Sequence, residues 1–139
     1  MAIRFFLHHV NYKIAGKKEI RTCVKDILTD HNKEVGNINI ILTGDKDLVE
    51  INKKYLKRNY LTDIITFDFS NEERISGDLY ISIDRIQVNA VLFEVIAKLE
   101  LFRVIIHGIL HLTGYTDKKK AEKVKMTAME DLYIKRYYK

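Results

Sequence analysis

Four short segments of the chain are rich in β-branched and aromatic residues, a composition typical of β-strands. They are Ile3–Leu7, Asn37–Thr43, Thr62–Phe69 and Gly77–Ile83. A polar loop, residues 70–76, connects the last two segments, so we expect this pair to form an antiparallel hairpin.

Apolar residues recur every three or four positions in the rest of the chain, which predicts amphipathic helices. The helical segments are 17–31, a second around 48–55 with Asp45 as its N-cap, 88–112 in one or two pieces, and 121–138. Gly114 is expected to end the penultimate helix. The pattern therefore predicts an α+β (α/β-like) fold over residues 1–139. It consists of one domain with a mixed four-stranded sheet and about five helices.

Composition indicates a globular protein of the cytoplasm. Apolar residues make up 47% of the 139 residues and charged residues 31%. The single cysteine, Cys23, excludes an intramolecular disulfide and is expected to be a buried apolar side chain. The first residues lack a signal-peptide pattern, and no apolar run is long enough to cross a bilayer, so we expect no membrane association.

The net charge of +5 is concentrated at the end of the chain. Residues 118–139 contain eight basic and three acidic residues, so this segment carries the whole excess. Such a surface attracts polyanions, above all nucleic acids. A solvated helix face that only aids solubility explains the same charges equally well.

Two histidines in the apolar segment 104–112 suggest a metal site. His107 and His111 are four residues apart, so they lie on one face of a helix within reach of each other. The turn expected at Gly114 can bring Asp117 back over that face. Histidine nitrogen and aspartate oxygen are ordinary ligands of zinc, so the segment predicts one Zn²⁺ bound by His107, His111 and Asp117.

The alternative is that both histidines are hydrogen-bonded residues of the core. We favour the metal because the paired spacing, the glycine turn and the acid occur together. Three protein ligands are typical of a catalytic zinc site, which keeps one position for water or substrate, whereas structural sites usually have four.

The spacing H-x-x-x-H-x-x-G-x-x-D resembles that of the metzincin proteases, whose pattern begins H-E-x-x-H-x-x-G. In those enzymes the Glu after the first His is the general base for peptide hydrolysis. Gly108 occupies that place here. Loss of a general base typically costs about 10²–10⁴-fold in rate, so proteolysis is disfavoured.

A second resemblance extends over most of the chain. Residues 107–115 read H-G-I-L-H-L-T-G-Y and resemble the H-G-x-L-H-L-x-G-Y signature of the YbeY family. Three earlier segments also resemble family motifs: 48–55 the L-x-x-x-N-x-x-Y helix, 62–67 the T-[DN]-V-L-S-F strand and 77–82 the G-D-I-x-I-S strand. Met126 and Glu130 fall where the last helix of the family carries a Met and an acid.

YbeY proteins are bacterial metal-dependent endoribonucleases of ribosomal RNA maturation. The resemblance therefore implies zinc-dependent cleavage of single-stranded RNA, in late processing of the 16S rRNA 3′ end and in ribosome quality control. An rRNA precursor and the ribosome or its small subunit would be the partners. Two alternatives stay open: a non-catalytic, metal-braced RNA-binding protein of the ribosome, and a metallohydrolase of another substrate, either a peptide or a phosphate ester.

The third ligand departs from the family pattern. The family usually has a His two residues after the Tyr of the signature, whereas Asp117 follows Tyr115 at that distance here. Aspartate is also a zinc ligand, so the set of three is kept. Its negative charge lowers the charge of the site by one unit relative to three neutral imidazoles.

A basic residue of the family is also shifted. An Arg usually follows the Tyr of the second helix, but Leu56 stands there, followed by Lys57 and Arg58. Phosphoryl transfer needs positive charge near the phosphate oxygens, so we expect Arg58, or failing it Lys57, to supply it. Solvated loop cations are an equally good explanation. His8 and His9 are either acid–base groups or bystanders on the first strand.

The sequence leaves the roles of five further residues open. Thr62 and Asp63 either line the cleft or simply begin the third strand. Tyr133, Tyr137 and Tyr138 either stack on unpaired bases or pack the last helix against the core.

Overall fold

The computed structural model describes residues 2–138 of the 139-residue chain. Met1 and Lys139, the last of the basic residues counted above, lie outside the described residues. Within the described part the elements follow in this order: β1 (Ala2–Leu7), α1 (Lys17–Asp30), β2 (Glu34–Thr43), α2 (Asp45–Leu56), β3 (Ile64–Asp68), β4 (Arg74–Ser82), α3 (Ile83–Leu92), α4 (Ala97–Leu112) and α5 (Lys120–Tyr137). The predicted α+β fold with four strands and five helices is confirmed.

The strands form one mixed sheet in the order β1-β2-β4-β3. β2 pairs in parallel with both β1 and β4, whereas β3 pairs antiparallel with β4. A short loop can join an antiparallel pair, but parallel neighbours need a crossover, which α1 provides between β1 and β2. The mixed sheet and its hairpin therefore agree with the prediction.

Helix α4 occupies the centre of the fold. It contacts β3 and β4 of the sheet as well as α1, α3 and α5. Ten of its 16 residues are buried, as expected of a helix that is covered nearly all round. Although α4 is apolar, no helix within residues 2–138 has the length and hydropathy needed to cross a membrane.

Two glycines allow α4 to lie close to the sheet. A Cβ added at Gly108 would be only 2.8 Å from Ile64 Cδ1 of β3. A Cβ added at Gly77 of β4 would overlap the carbonyl oxygen of Phe67 and come within 3.2 Å of Leu112 on α4. The separation between helix and sheet is therefore set by the absence of side chains at these two positions.

The predicted N-cap of α2 is wrong. Gly44 occupies the cap position, and Asp45 is the first helical residue. The Asp45 carboxylate instead accepts hydrogen bonds from Ser82 Oγ at 2.7 Å and Arg85 Nε at 3.1 Å. The carboxylate therefore binds Ser82 and Arg85, which are distant in sequence, and does not cap the helix as the local pattern predicted.

Helix α3 begins at Ile83, five residues before the predicted start at Val88. Ser82 is its N-cap, and Ser82 Oγ accepts a hydrogen bond from the backbone N–H of Arg85. Ile81, Ser82 and Ile83 alternate with the period of a strand, so the sequence predicted a strand through Ile83 and did not identify Ser82 as a cap.

Strand boundaries differ from the prediction by a few residues. β2 and β4 both begin earlier than the predicted Asn37 and Gly77, because Val35 and Ile75 pair across the two strands. β3 is shorter than predicted and begins only at Ile64, so the two residues before it lie outside the sheet.

Helix α5 is fixed to α1 through Tyr133. This side chain is 1% exposed, and its hydroxyl donates a hydrogen bond to Asp30 Oδ2 at 2.8 Å. Arg136 Nη1 donates to the same oxygen at 3.1 Å. Tyr133 is therefore a core residue and cannot stack on a base, whereas Tyr137 and Tyr138 are only partly buried.

Cys23 is buried in α1, as the sequence predicts. Its side chain is 1% exposed and belongs to the core cluster. Burial, with a smaller contribution from the charge of Asp26, raises the pKa of its thiol to about 12. The thiol is therefore inert at neutral pH.

Replacement of Gly77 by alanine tests the close packing of α4 on the sheet. Alanine is ordinarily better than glycine within a strand, but here its Cβ would overlap the β3 backbone. We expect Gly77→Ala to lower the free energy of unfolding by about 1–3 kcal/mol, the usual cost of overpacking. Urea denaturation measures this change, and an unchanged or higher stability would contradict the packing described here.

Candidate metal centre

Helix α4 presents His107 and His111 on one face, one turn apart. Their Nε2 atoms are 3.0 Å apart, and the two rings meet edge to face. About a quarter of each side chain is exposed, 25% and 27%. Both side chains are therefore partly open to solvent although most of the helix is buried.

The turn after α4 brings Asp117 to the same point. Gly114 has a φ of 112°, a backbone conformation that side-chain-bearing residues rarely adopt, and it reverses the chain. Asp117 Oδ2 then lies 3.2 Å from His107 Nε2 and 3.5 Å from His111 Nε2. The three residues selected from the sequence are thus brought together by the fold.

The far side of each ring is held by an atom that can only accept a hydrogen bond. His107 Nδ1 lies 2.6 Å from Glu130 Oε2, and His111 Nδ1 lies 2.9 Å from the carbonyl oxygen of Tyr115. A carboxylate and a carbonyl oxygen have no proton to give, so each Nδ1 must carry one. In the neutral rings both Nε2 atoms therefore expose lone pairs.

While both rings are neutral, three lone-pair donors therefore converge on one place. A tetrahedral metal bound at about 2.0–2.1 Å separates its ligand atoms by about 3.3–3.4 Å. The observed separations of 3.0, 3.2 and 3.5 Å bracket this value. The group could hold a metal ion, and its two nitrogens and one oxygen suit zinc or another late first-row divalent ion.

The surroundings of His107 favour positive charge. Burial alone would lower the pKa of this ring, but the hydrogen bond and charge of Glu130 outweigh burial, and Asp117 and Asp63 add to the effect. The pKa of His107 is therefore raised above its ordinary value. The same field stabilises a bound cation.

Glu130 is itself held by Arg103. Arg103 Nη1 donates to Glu130 Oε1 at 3.0 Å, and Arg103 Nη2 donates to Asp131 Oδ1 at 2.7 Å. The Glu130 side chain is only 8% exposed, so this pairing compensates for its burial. A carboxylate that orients a metal-binding imidazole in this way is a common feature of zinc sites.

Tyr115 fixes the turn through both its backbone and its side chain. Its backbone N–H donates to the carbonyl oxygen of Leu110, and its own carbonyl holds His111. Its hydroxyl lies 2.9 Å from His31 Nε2 at the end of α1. The Gly-Tyr pair of the signature therefore anchors the segment that carries Asp117.

A cleft opens beside the three ligands. The residues that line it come from α2, the loop after it and the start of β3, and they include Asn52, Arg58, Tyr60, Thr62, Asp63 and Thr66. Thr62 and Asp63 thus lie at the cleft and outside β3. Burial raises the pKa of Asp63, although the charge of His107 partly opposes this.

Arg58 and Lys57 differ in position. Arg58 lines the cleft, and its Nη1 donates to the Tyr60 hydroxyl at 3.0 Å. Lys57 caps the end of α2 with a φ of 55° and is not among the described residues that line the cleft. Asn52 holds this loop by two hydrogen bonds. Its side-chain N–H donates to the backbone carbonyl of Tyr60, and its backbone carbonyl accepts from the backbone N–H of Arg58.

The model of the family described as Endoribonuclease YbeY matches residues 7–138. The chain belongs to the YbeY family. This is a family of endoribonucleases, that is, of hydrolases, and the resemblance noted in the sequence is confirmed.

Relatives named Endoribonuclease YbeY match most of the chain. The relative from Flavobacterium psychrophilum is 40% identical over 133 residues, which cover 96% of this chain and 95% of that one. The relative from Phocaeicola vulgatus is 47% identical over 115 residues, 83% of each chain. The solution structure of TM1509 from Thermotoga maritima has a TM-score of 0.69 and 25% identity, covering 99% of this chain and 89% of that one.

Glu130→Gln tests whether the carboxylate orients His107 for metal binding. The amide loses the negative charge that holds Nδ1–H, so we expect zinc affinity to fall about 10–100-fold. Competition with a chromophoric chelator on metal-stripped protein measures this affinity. Asp131→Asn is the matched control, because Asp131 binds the same Arg103 but lies on the surface, and it should leave zinc affinity unchanged.

Proposed function

We propose that this chain is a zinc-dependent endoribonuclease that cleaves single-stranded RNA in rRNA maturation, in late processing of the 16S rRNA 3′ end and in ribosome quality control. The observation that carries the proposal is the meeting of three lone-pair donors at the mouth of a cleft bordered by Arg58. Membership in an endoribonuclease family supports RNA as the substrate. The ribosome or its small subunit would be the partner, in the cytoplasm.

His107, His111 and Asp117 would hold the ion. When bound, it would supply Lewis-acid polarisation of a phosphoryl oxygen. Glu130 and the Tyr115 carbonyl keep both rings oriented with Nε2 toward the ion. Asp117 contributes a negative charge, which makes the site less cationic than three imidazoles would.

Arg58 would bind the scissile phosphate. Arg58 lines the same cleft as the ligands, where a fixed positive charge stabilises the charge that develops on phosphate oxygens. Its hydrogen bond to the Tyr60 hydroxyl and the anchoring of the loop by Asn52 limit its freedom. This position favours Arg58 over Lys57 as the phosphate contact.

The basic segment that follows Asp117 also supports RNA binding. Lys118, Lys119 and Lys120 are exposed and follow Asp117 directly in the chain. Lys125 lies 5.3 Å from the ring of Tyr115. Cations that border a metal site can hold the RNA backbone on either side of the cleaved bond.

The activity itself is tested with a single-stranded RNA oligonucleotide and its duplex form. We expect zinc-loaded protein to cleave the single strand and to spare the duplex. Chelation should abolish cleavage, and added zinc should restore it. His111→Ala should reduce cleavage to background, because one of three ligands is lost.

An rRNA precursor carrying the unprocessed 3′ end serves as the natural substrate in the same assay. A protein that binds RNA and loses thermal stability on chelation, yet cleaves neither substrate, would be a metal-braced binding protein. That outcome would overturn the proposed function.

The contribution of Arg58 is measured separately. We expect Arg58→Ala to slow single-turnover cleavage about 10²–10³-fold, the usual loss when one fixed transition-state donor is removed. Lys57→Asn, which suits the left-handed backbone there, should have a much smaller effect. Lys54→Ala removes a cation from the exposed surface of α2 and is the charge control. Equal losses in all three variants would exclude a specific role for Arg58.

A further inference from the structure

A second group of metal-ligating side chains lies at the end of β1. His8 and His9 follow the strand directly, and Asp47 belongs to the first turn of α2. Asp47 Oδ2 lies 2.8 Å from His9 Nδ1 and 4.0 Å from His8 Nε2. None of the three is among the described residues that line the cleft, so this cluster is distinct from the centre on α4.

The backbone brings two consecutive imidazoles to one side. Successive residues of a strand point to opposite faces, and the His8 N–H still donates to the Leu42 carbonyl as a continuation of β1. His9, however, has a φ of 58°, in the left-handed region. The two rings therefore approach to 3.9 Å between centroids, tilted by 31°. An uncommon backbone conformation of this kind is frequent at ligand-binding sites.

The donor atoms match a transition-metal ion. Two imidazoles and one carboxylate suit zinc, nickel or copper, whereas magnesium and calcium prefer sites made of oxygen. The three ligand atoms lie within 4.8 Å of one another. The two separations from Asp47, 2.8 and 4.0 Å, lie on either side of the roughly 3.3–3.4 Å edge of a tetrahedral zinc site.

Access and orientation also fit this assignment. The side chains of His8 and His9 are 48% and 70% exposed, so an ion reaches them from solvent without any opening of the fold. Thr43 Oγ1 donates to Asp47 Oδ2 at 3.4 Å and helps to orient the carboxylate. Water would complete the coordination.

We propose that His8, His9 and Asp47 form a second site for a late first-row divalent ion such as Zn²⁺, which ties the end of β1 to the start of α2. The site is independent of the proposed nuclease activity.

Zinc stoichiometry tests the proposal. The chain is prepared without a histidine tag, stripped with a chelator and equilibrated with Zn²⁺ by dialysis. We expect two ions per wild-type chain and one in His9→Asn, a replacement that removes the imidazole and tolerates the left-handed backbone. Asp47→Asn should also bind one ion. Glu50→Gln, the same change of charge one turn along α2, should still bind two.

Imidazole NMR identifies the ligands in the same samples. The signals of His8 and His9 should shift on zinc addition in wild type and in Glu50→Gln, and the shift of His8 should be lost in His9→Asn. Two outcomes would falsify the second site and leave only a His9–Asp47 ion pair. In the first, wild type binds one ion and His9→Asn still binds it. In the second, wild type binds two ions and both His9→Asn and Asp47→Asn still bind two. A single ion lost in His9→Asn but kept in His111→Ala would support this site and contradict the centre on α4.

Discussion

The hydrogen bonds at the two Nδ1 atoms determine what the candidate centre can bind. Glu130 and the Tyr115 carbonyl accept hydrogen bonds from the Nδ1–H groups of His107 and His111, so the Nε2 atoms of the neutral rings carry lone pairs. Asp117 adds a third lone-pair donor within 3.5 Å of both rings. Three lone pairs that point to one place suit a cation, so the hydrogen-bond pattern favours metal binding.

The fold supplies this pattern through helix α4. Because the helix is buried on nearly every side, its histidines are held by contacts with the sheet, α1 and α5 at once. Gly77 and Gly108 let the helix approach the sheet, and α5 supplies Glu130 behind His107. His107, His111 and Arg58 all line the cleft that this packing leaves open. The contacts that hold α4 in the core therefore also position the two histidines.

Local sequence features predicted the parts of the site that are local in structure. The spacing of His107 and His111 and the turn at Gly114 act over a few residues, so helical periodicity sufficed to bring them together with Asp117. Glu130 could not be assigned a partner, because its contact with His107 depends on how α5 crosses α4, 23 residues along the chain. Helical periodicity also could not show which of Lys57 and Arg58 lies at the cleft. Their positions depend on the left-handed backbone of Lys57, which ends α2.

Anomalous diffraction at the zinc absorption edge, from crystals of the zinc-loaded chain, tests the central claim most directly. The hydrogen-bond pattern predicts an anomalous peak about 2.0–2.2 Å from His107 Nε2, His111 Nε2 and Asp117 Oδ2, with no fourth protein ligand. Coordination through Nδ1, a fourth side chain on the ion, or no peak at this position would contradict it.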